Sequence, residues 1–248
     1  MIERLYDFFN NLQHKVNPRD HVWDYRNAKP VSHLVLDNFL PQDIFEAVAA
    51  EAQNIPEHYW NDFTRNGSHM KECKAFNTSP ISQSLVHCFN SGVFINWIEA
   101  LTDKKKVVSD PHLIGAGFSR SNKGSSLKLH TDFNWNDELA LNRTLSLIFY
   151  ISPTWNKDWG GGLEFWNFDK TEIVETITPL PNRLLMWHYD DRFIHGYPDP
   201  LTCPADSNRM NLRIFYYTSN SQPMTQPHRS LYWWDETTKT PLDNRQHK

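Results

Sequence analysis

His130 and Asp132 stand two residues apart in the run L-K-L-H-T-D-F-N-W, residues 127–135. In an extended strand, alternate side chains leave the same face, so this spacing sets an imidazole beside a carboxylate and turns Thr131 away. One neutral nitrogen donor and one anionic oxygen donor are two members of the 2-His-1-carboxylate set that binds Fe(II) and leaves coordination positions open. An H-x-D triplet arises often by chance, so the chemistry requires a third donor from a distant segment. Two histidines qualify, His188 in L-L-M-W-H-Y-D-D and His195 in R-F-I-H-G-Y-P-D. His195 precedes Gly196, where backbone can lie close to a site. His188 follows an apolar run and reads equally well as a hydrogen-bonded wall residue.

A second chemical signal lies in N-R-M-N-L-R-I-F-Y-Y-T, residues 208–218. Read as a strand, it puts Arg209, Asn211, Arg213, Phe215 and Tyr217 on one face and Met210, Leu212, Ile214 and Tyr216 on the other. With both faces covered, a guanidinium needs an anion, and its planar fork suits bidentate capture of a carboxylate. Arg209 and Arg213 are both candidates, with a surface ion pair as the plainer alternative for either.

The elements that must position these groups divide the chain near residue 107. Before it, Leu5, Phe8, Phe9 and Leu12 fall at helical spacing, and a short apolar run follows at 34–36. Pro41 opens a helix over 41–54, and a second helical stretch over 82–101 breaks at Ser91-Gly92. Beyond 107 come short β-rich runs at about 113–120, 126–133, 143–151, 162–168, 173–177, 183–188, 193–196 and 208–217. Strands at this spacing without intervening helices predict an antiparallel sandwich or barrel of jelly-roll type. The expected organisation is one domain: 1–106 as helical support with a first edge strand, 107–218 as the catalytic core and 219–248 as a C-terminal extension. The aromatic cluster Leu231-Tyr232-Trp233-Trp234 in that extension is expected to dock back on the body.

At 248 residues the chain is long enough for a sizeable core, and ten Trp, fifteen Phe and nine Tyr make it notably aromatic. A net charge of −4 and a pI near 6.3 give no overall basic surface, so nucleic acid is not an expected partner. Three scattered cysteines without C-x-x-C spacing suit a reducing compartment. The N-terminal residues M-I-E-R-L-Y-D-F-F lack signal-peptide character, and no stretch reaches the apolar length of a membrane span, so a cytoplasmic protein is expected. The oligomeric state is left open.

Over residues 111–218 the arrangement resembles the prolyl 4-hydroxylase branch of the 2-oxoglutarate- and iron(II)-dependent dioxygenases. After H-T-D comes R-T-L-S-L-I-F-Y-I-S (143–152), where the family places a cosubstrate-contacting tyrosine, here Tyr150. W-x-x-x-W-G-G-G-L-E-F-W (155–166) is similar to its glycine turn, and P-N-R-L-L-M-W (181–187) leads to H-G-Y at 195–197. The resemblance implies a double-stranded β-helix core, mainly β with flanking helices, and favours His195 over His188 as the distal metal ligand. It implies Fe(II), 2-oxoglutarate and O2, with ascorbate as a further cofactor. Arg209 and the Tyr150 hydroxyl would take the far carboxylate of 2-oxoglutarate. Arg213, where many relatives carry a smaller residue, would help bind cosubstrate or substrate.

Because related halogenases lack the carboxylate at the Asp132 position, hydroxylation is the implied reaction, and a prolyl residue in a protein or peptide is the implied acceptor. The alternatives are a free amino acid or other small molecule and, from another class, a catalytically silent β-helix binding module, against which the intact His130, Asp132, His195 and Arg209 speak. Zinc hydrolysis is disfavoured because no H-E-x-x-H supplies a base. Phe133, Trp135 and Trp187 would line a substrate channel or simply pack, and Asn134 and Asn136 would bond a peptide backbone or hold a loop.

Overall fold

Two ten-residue strands form the spine of the fold, and their two faces do different work. The structure, a computed structural model, describes residues 1–74, 78–219 and 225–232. Its strands are β1 (His33–Leu36), β2 (Asn61–Arg65), β3 (Ser68–Cys73), β4 (Val107–Ser109), β5 (Gly117–Ser121), β6 (Leu127–Thr131), β7 (Trp135–Asn136), β8 (Leu141–Tyr150), β9 (Leu163–Trp166), β10 (Ile173–Ile177), β11 (Arg183–His188), β12 (His195–Tyr197), β13 (Arg209–Thr218) and β14 (Leu231–Tyr232). The helices are α1 (Ile2–Asn10), α2 (Leu12–Lys15), α3 (Val22–Asn27), α4 (Gln42–Gln53), α5 (Pro80–Phe89) and α6 (Gly92–Thr102). None of the described helices is long and apolar enough to cross a membrane.

The major sheet runs β1-β11-β8-β13-β5-β3-β2, with β4 also on β13 and β7 on β8, and the minor sheet runs β10-β9-β12-β6-β14. The pairings are antiparallel, as the jelly-roll expectation requires. One face of the spine, Leu145, Leu147 and Phe149 of β8 with Met210, Leu212, Ile214 and Tyr216 of β13, shares a core with the N-terminal helices. There the rings of Phe9 and Phe89 meet edge to face at 5.3 Å, a favoured arrangement of aromatic quadrupoles. The other face of the major sheet, with Ile148 and Tyr150 of β8 and Leu185 and Trp187 of β11, packs against Phe165, Phe193 and Tyr197 on the minor-sheet side. The functional groups lie in this second interior.

Several boundaries differ from those the sequence predicts. The helical stretch breaks where expected, because the Ser91 hydroxyl accepts from the Phe94 amide and caps α6. The strand expected from 113 begins at Gly117 instead. The Asp110 carboxylate accepts from the amides of His112 and Ile114, both at 2.8 Å, and Leu113 has φ 52°. This stretch is therefore a turn stabilised by an aspartate side chain. β6 ends at Thr131, which makes Asp132 the residue after the strand rather than a member of it.

The hairpin β2–β3 has no counterpart in the expected elements, yet its turn at Asn66-Gly67 has φ of 48° and 78°. An Asn-Gly pair of this kind is a strong hairpin signal. β4, β7 and β14 are likewise additional. Leu231 and Tyr232 dock back on the body as β14, whereas Trp233 and Trp234 lie outside the described residues.

Candidate metal centre

His130 and His195 are direct cross-strand partners of β6 and β12, which brings together two imidazoles far apart in the chain. The register slips by one residue between His195 and Tyr197, and Gly196 sits at that slip. A Cβ there would lie 2.7 Å from the Leu127 carbonyl oxygen and 3.0 Å from that of Lys128. Only glycine permits this approach of β12 to β6.

Asp132 completes the cluster: one donor atom from each of His130, Asp132 and His195 lies within 4.8 Å of the others. Asp132 Oδ1 is 3.7 Å from His130 Nε2, and Oδ2 is 3.6 Å from His195 Nε2. His130 Nδ1 is 2.8 Å from the Lys128 carbonyl oxygen. That oxygen can only accept, so Nδ1 donates to it, and Nε2 is the ring atom turned toward the carboxylate. His195 is clamped by the ring of Phe193, stacked at 5.1 Å, and by the edge of Trp187 at 5.3 Å. Burial depresses its pKa to about 3, which keeps the imidazole neutral. Burial opposes ionisation of Asp132, but the Arg143 guanidinium and the two imidazoles more than offset this and hold its carboxyl far below the usual range. Two imidazole nitrogens and an ionised carboxylate on one side suit a divalent ion of the Fe(II) type.

Arg143 has no role in the sequence reading, although its Nη2 donates to Asp132 Oδ2 at 2.7 Å. A β-bulge explains how it reaches the site. Phe215 pairs with Ser146, but Tyr217 pairs with Arg143, so the chain gains one residue on β8 and Arg143 turns to the inner face. There it is 1% exposed, donates to Ser146 Oγ through both Nε and Nη2, and lies 3.6 Å over the Phe215 ring. A guanidinium in a strand buried on both sides is as telling at Arg143 as at Arg209. What spacing does not supply is the bulge.

Arg209 is 3% exposed and has no carboxylate partner among the described residues. Its Nε donates to the Gly161 carbonyl oxygen at 2.8 Å, its Nη2 lies 3.4 Å from the Tyr150 hydroxyl, and the Tyr197 ring is 4.3 Å away. A buried cation without a counter-ion is costly, so this position is built for an anion from outside the chain. Burial raises the pKa of Tyr150 despite the nearby Arg209 charge, which keeps its hydroxyl protonated and able to donate. Gly161, at φ 72°, lets the glycine turn close on this pair: a Cβ would lie 2.6 Å from Leu201 Cδ2 and 3.0 Å from Arg209 Cδ.

Arg213 is different, because Glu72 on β3 already accepts from its Nη2 at 2.6 Å. His188 lies at the end of β11 outside the cluster of three, with its pKa lowered by burial. Trp187 is 2% exposed and packs on His195 rather than lining a channel. Phe133 and Trp135 do border an open cleft of about 540 Å3, with Arg65 and residues 227–230 also on its wall. Asn136 holds a loop, donating to Asp110 Oδ2 at 3.0 Å and accepting from the Leu139 amide. Asn134 binds the segment that begins at Thr225.

The family described as the 2OG-Fe(II) oxygenase superfamily matches residues 116–217. Mouse prolyl 3-hydroxylase OGFOD1 is 22% identical over 227 residues, which cover 83% of this chain and 38% of that protein, so the chain spans well under half the length of this curated relative. Among solved structures, the Trichoplax adhaerens prolyl hydroxylase in complex with a hypoxia-inducible-factor peptide superposes with TM-score 0.59 at 18% identity, covering 83% of this chain and 91% of that one. A Pseudomonas putida prolyl-4-hydroxylase gives 0.56 at 18% identity, covering 82% and 99%. At these identities the superpositions establish a shared fold.

Proposed function

From the match of residues 116–217 to the 2OG-Fe(II) oxygenase superfamily, we propose that this chain is a 2-oxoglutarate- and Fe(II)-dependent dioxygenase that hydroxylates a prolyl residue in a protein or peptide. The observation that carries the reading is the presence, in one interior, of three clustered donors and a buried arginine that meets no carboxylate of the described residues. An Fe(II) ion suits the first and a dicarboxylate the second.

In this reading His130 Nε2, Asp132 and His195 Nε2 would hold an Fe(II) ion, the three-donor set that suits this metal in oxygen chemistry. When bound, the metal and 2-oxoglutarate would supply the oxidising chemistry, one atom of dioxygen going to succinate as the 2-oxo acid loses carbon dioxide and the other to a C–H bond. The protein's task is orientation. Arg209 and the Tyr150 hydroxyl would take the far carboxylate, and the Tyr150 and Tyr197 rings fix the guanidinium between them. Phe165, Trp187 and Phe193 surround His195 and exclude water from that side. Arg143 keeps Asp132 ionised and aimed at the donor cluster.

A prolyl acceptor is supported by the relatives, which are named as prolyl hydroxylases, and by the open cleft beside Phe133 and Trp135. The cysteines Cys73, Cys88 and Cys203 are buried and unpaired, which supports a reducing compartment and with it the cytoplasmic assignment. The test is mass spectrometry of proline-containing peptide pools incubated with the full chain, Fe(II) and 2-oxoglutarate. A product heavier by one oxygen atom, formed only with 2-oxoglutarate and absent with Asp132→Ala, is expected. Succinate formation without modification of any peptide would refute the peptidyl acceptor and leave a small molecule as substrate.

A further inference from the structure

The segment Thr225–Tyr232 has no part in the chemistry above, yet it is built onto the metal site from three directions. Asn134, two residues past Asp132, grips it with both ends of its amide: Nδ2 donates to Thr225 Oγ1 at 2.8 Å and to the Gln226 carbonyl oxygen at 3.0 Å, and Oδ1 accepts from the His228 amide at 2.8 Å. His228 Nε2 then pairs with Asp191 Oδ1 at 3.1 Å, on the loop leading to His195. Finally the segment adds to the minor sheet as β14, with Leu231 opposite Thr131 and Tyr232 opposite His130.

This register places the Tyr232 ring on the His130 imidazole, with centroids 5.1 Å apart and planes 21° from parallel. Tyr232 is 2% exposed, and its hydroxyl is hydrogen-bonded to Ser68 on β3. The His130 ring is therefore held between Tyr232 and His195, whose ring lies 4.6 Å away. An imidazole so confined cannot turn about its side-chain torsions without displacing a buried aromatic ring, so its Nε2 stays aimed at Asp132. The same strand also occupies the edge of β6, which would otherwise offer unpaired amides and carbonyls beside the metal ligands.

We propose that Tyr232 is a positioning residue of the metal centre, delivered by the strap Thr225–Tyr232, and that its ring fixes His130 and slows loss of the bound ion. The inference rests on the metal-centre reading above, and an ion-release measurement separates the two. The full-length chain is loaded with Co(II) and challenged with excess chelator, and release is followed for wild type, Tyr232→Leu, Tyr232→Phe and His228→Ala. Outer residues that orient a ligand typically change metal affinity by roughly 10- to 100-fold, so release on the order of tenfold faster or more is expected for Tyr232→Leu. Tyr232→Phe, which keeps the flat ring and loses the bond to Ser68, is expected within about twofold of wild type by the same reasoning. His228→Ala, which loosens the strap without touching His130, is expected to lie between them.

The melting temperatures of the metal-free variants provide the control, because a merely structural role for Tyr232 would lower stability without changing release from the folded protein. Wild-type release rates in Tyr232→Leu and His228→Ala would overturn the inference, as would release from Tyr232→Phe as fast as from Tyr232→Leu. Failure of the wild type to bind Co(II) at all would instead overturn the metal-centre reading, and the strap inference with it.

Discussion

Replacing Arg143 by methionine isolates the charge it places beside Asp132. Methionine is flexible and of similar length, so it fills the space beside Phe133 and Phe215 without leaving a large cavity. Asp132 then loses a charge-assisted hydrogen bond of 2.7 Å in a setting where its side chain is only 14% exposed. Removing one partner of a buried ion pair costs about 3–5 kcal/mol, because the other charge stays buried and uncompensated. For a chain of this size about 1 kcal/mol shifts the melting temperature by about 2–4 °C, so the metal-free variant should melt roughly 6–20 °C below wild type. With a divalent ion bound, Asp132 has another counter-charge, and the loss should shrink to less than half. Thermal melts of both proteins, with chelator and with saturating Co(II), test this. Equal losses in the two conditions, or none in the metal-free protein, would refute the assignment of Arg143 as the counter-ion that holds Asp132 ionised.

The two inner arginines should separate in cosubstrate kinetics. Hydrogen bonds to charged groups contribute about 1.5–3 kcal/mol, so Arg209→Met should raise the 2-oxoglutarate requirement roughly 10- to 150-fold. Arg213→Met should change it far less, since Glu72 already satisfies that guanidinium, and the reverse order would show that the carboxylate binds at Arg213. Gly161→Ala should destabilise the fold by about 1–3 kcal/mol through its strained backbone conformation. It should also weaken 2-oxoglutarate binding, because the added Cβ pushes on Arg209. A variant with wild-type melting and wild-type cosubstrate requirement would contradict the close packing of that turn. For pH, the folded His195 pKa of about 3 lies below the ordinary value of 6.5, so between these values the unfolded chain binds the extra proton. Stability of the metal-free protein should therefore fall as pH is lowered from about 6.5, by up to about 1.4 kcal/mol per pH unit from this group. Urea unfolding from pH 8 to 5 should show a flatter dependence in His195→Gln, and an unchanged slope would mean another group is responsible.

Much of the site is legible in the chain because its signals are local. The two-residue spacing of His130 and Asp132 still brings both side chains to one donor cluster, although Asp132 falls just past the end of β6. The alternation along β13 is legible for the same reason: strand geometry alone decides that Arg209 and Arg213 share a face. The hairpin Asn61–Cys73 is signalled too, through Asn66-Gly67, but its polar, exposed first strand lacks the alternation that marks the others. Arg143 is harder, because ordinary alternation would point it to the helix side and only the bulge in β8 reverses it.

Donor types, the order in which they occur and the glycines that permit close approach at Gly161 and Gly196 can be read along the chain, because residue chemistry and backbone freedom are properties of each position alone. Tertiary structure decided the pairings. Which histidine meets His130 depends on the register of β12 against β6, and which arginine lacks an anion depends on Glu72 arriving on a separate hairpin. Which aromatic ring covers His130 depends on a strand added from the far end of the chain. Such contacts are set by the packing of segments distant in sequence, and no spacing along one segment encodes them.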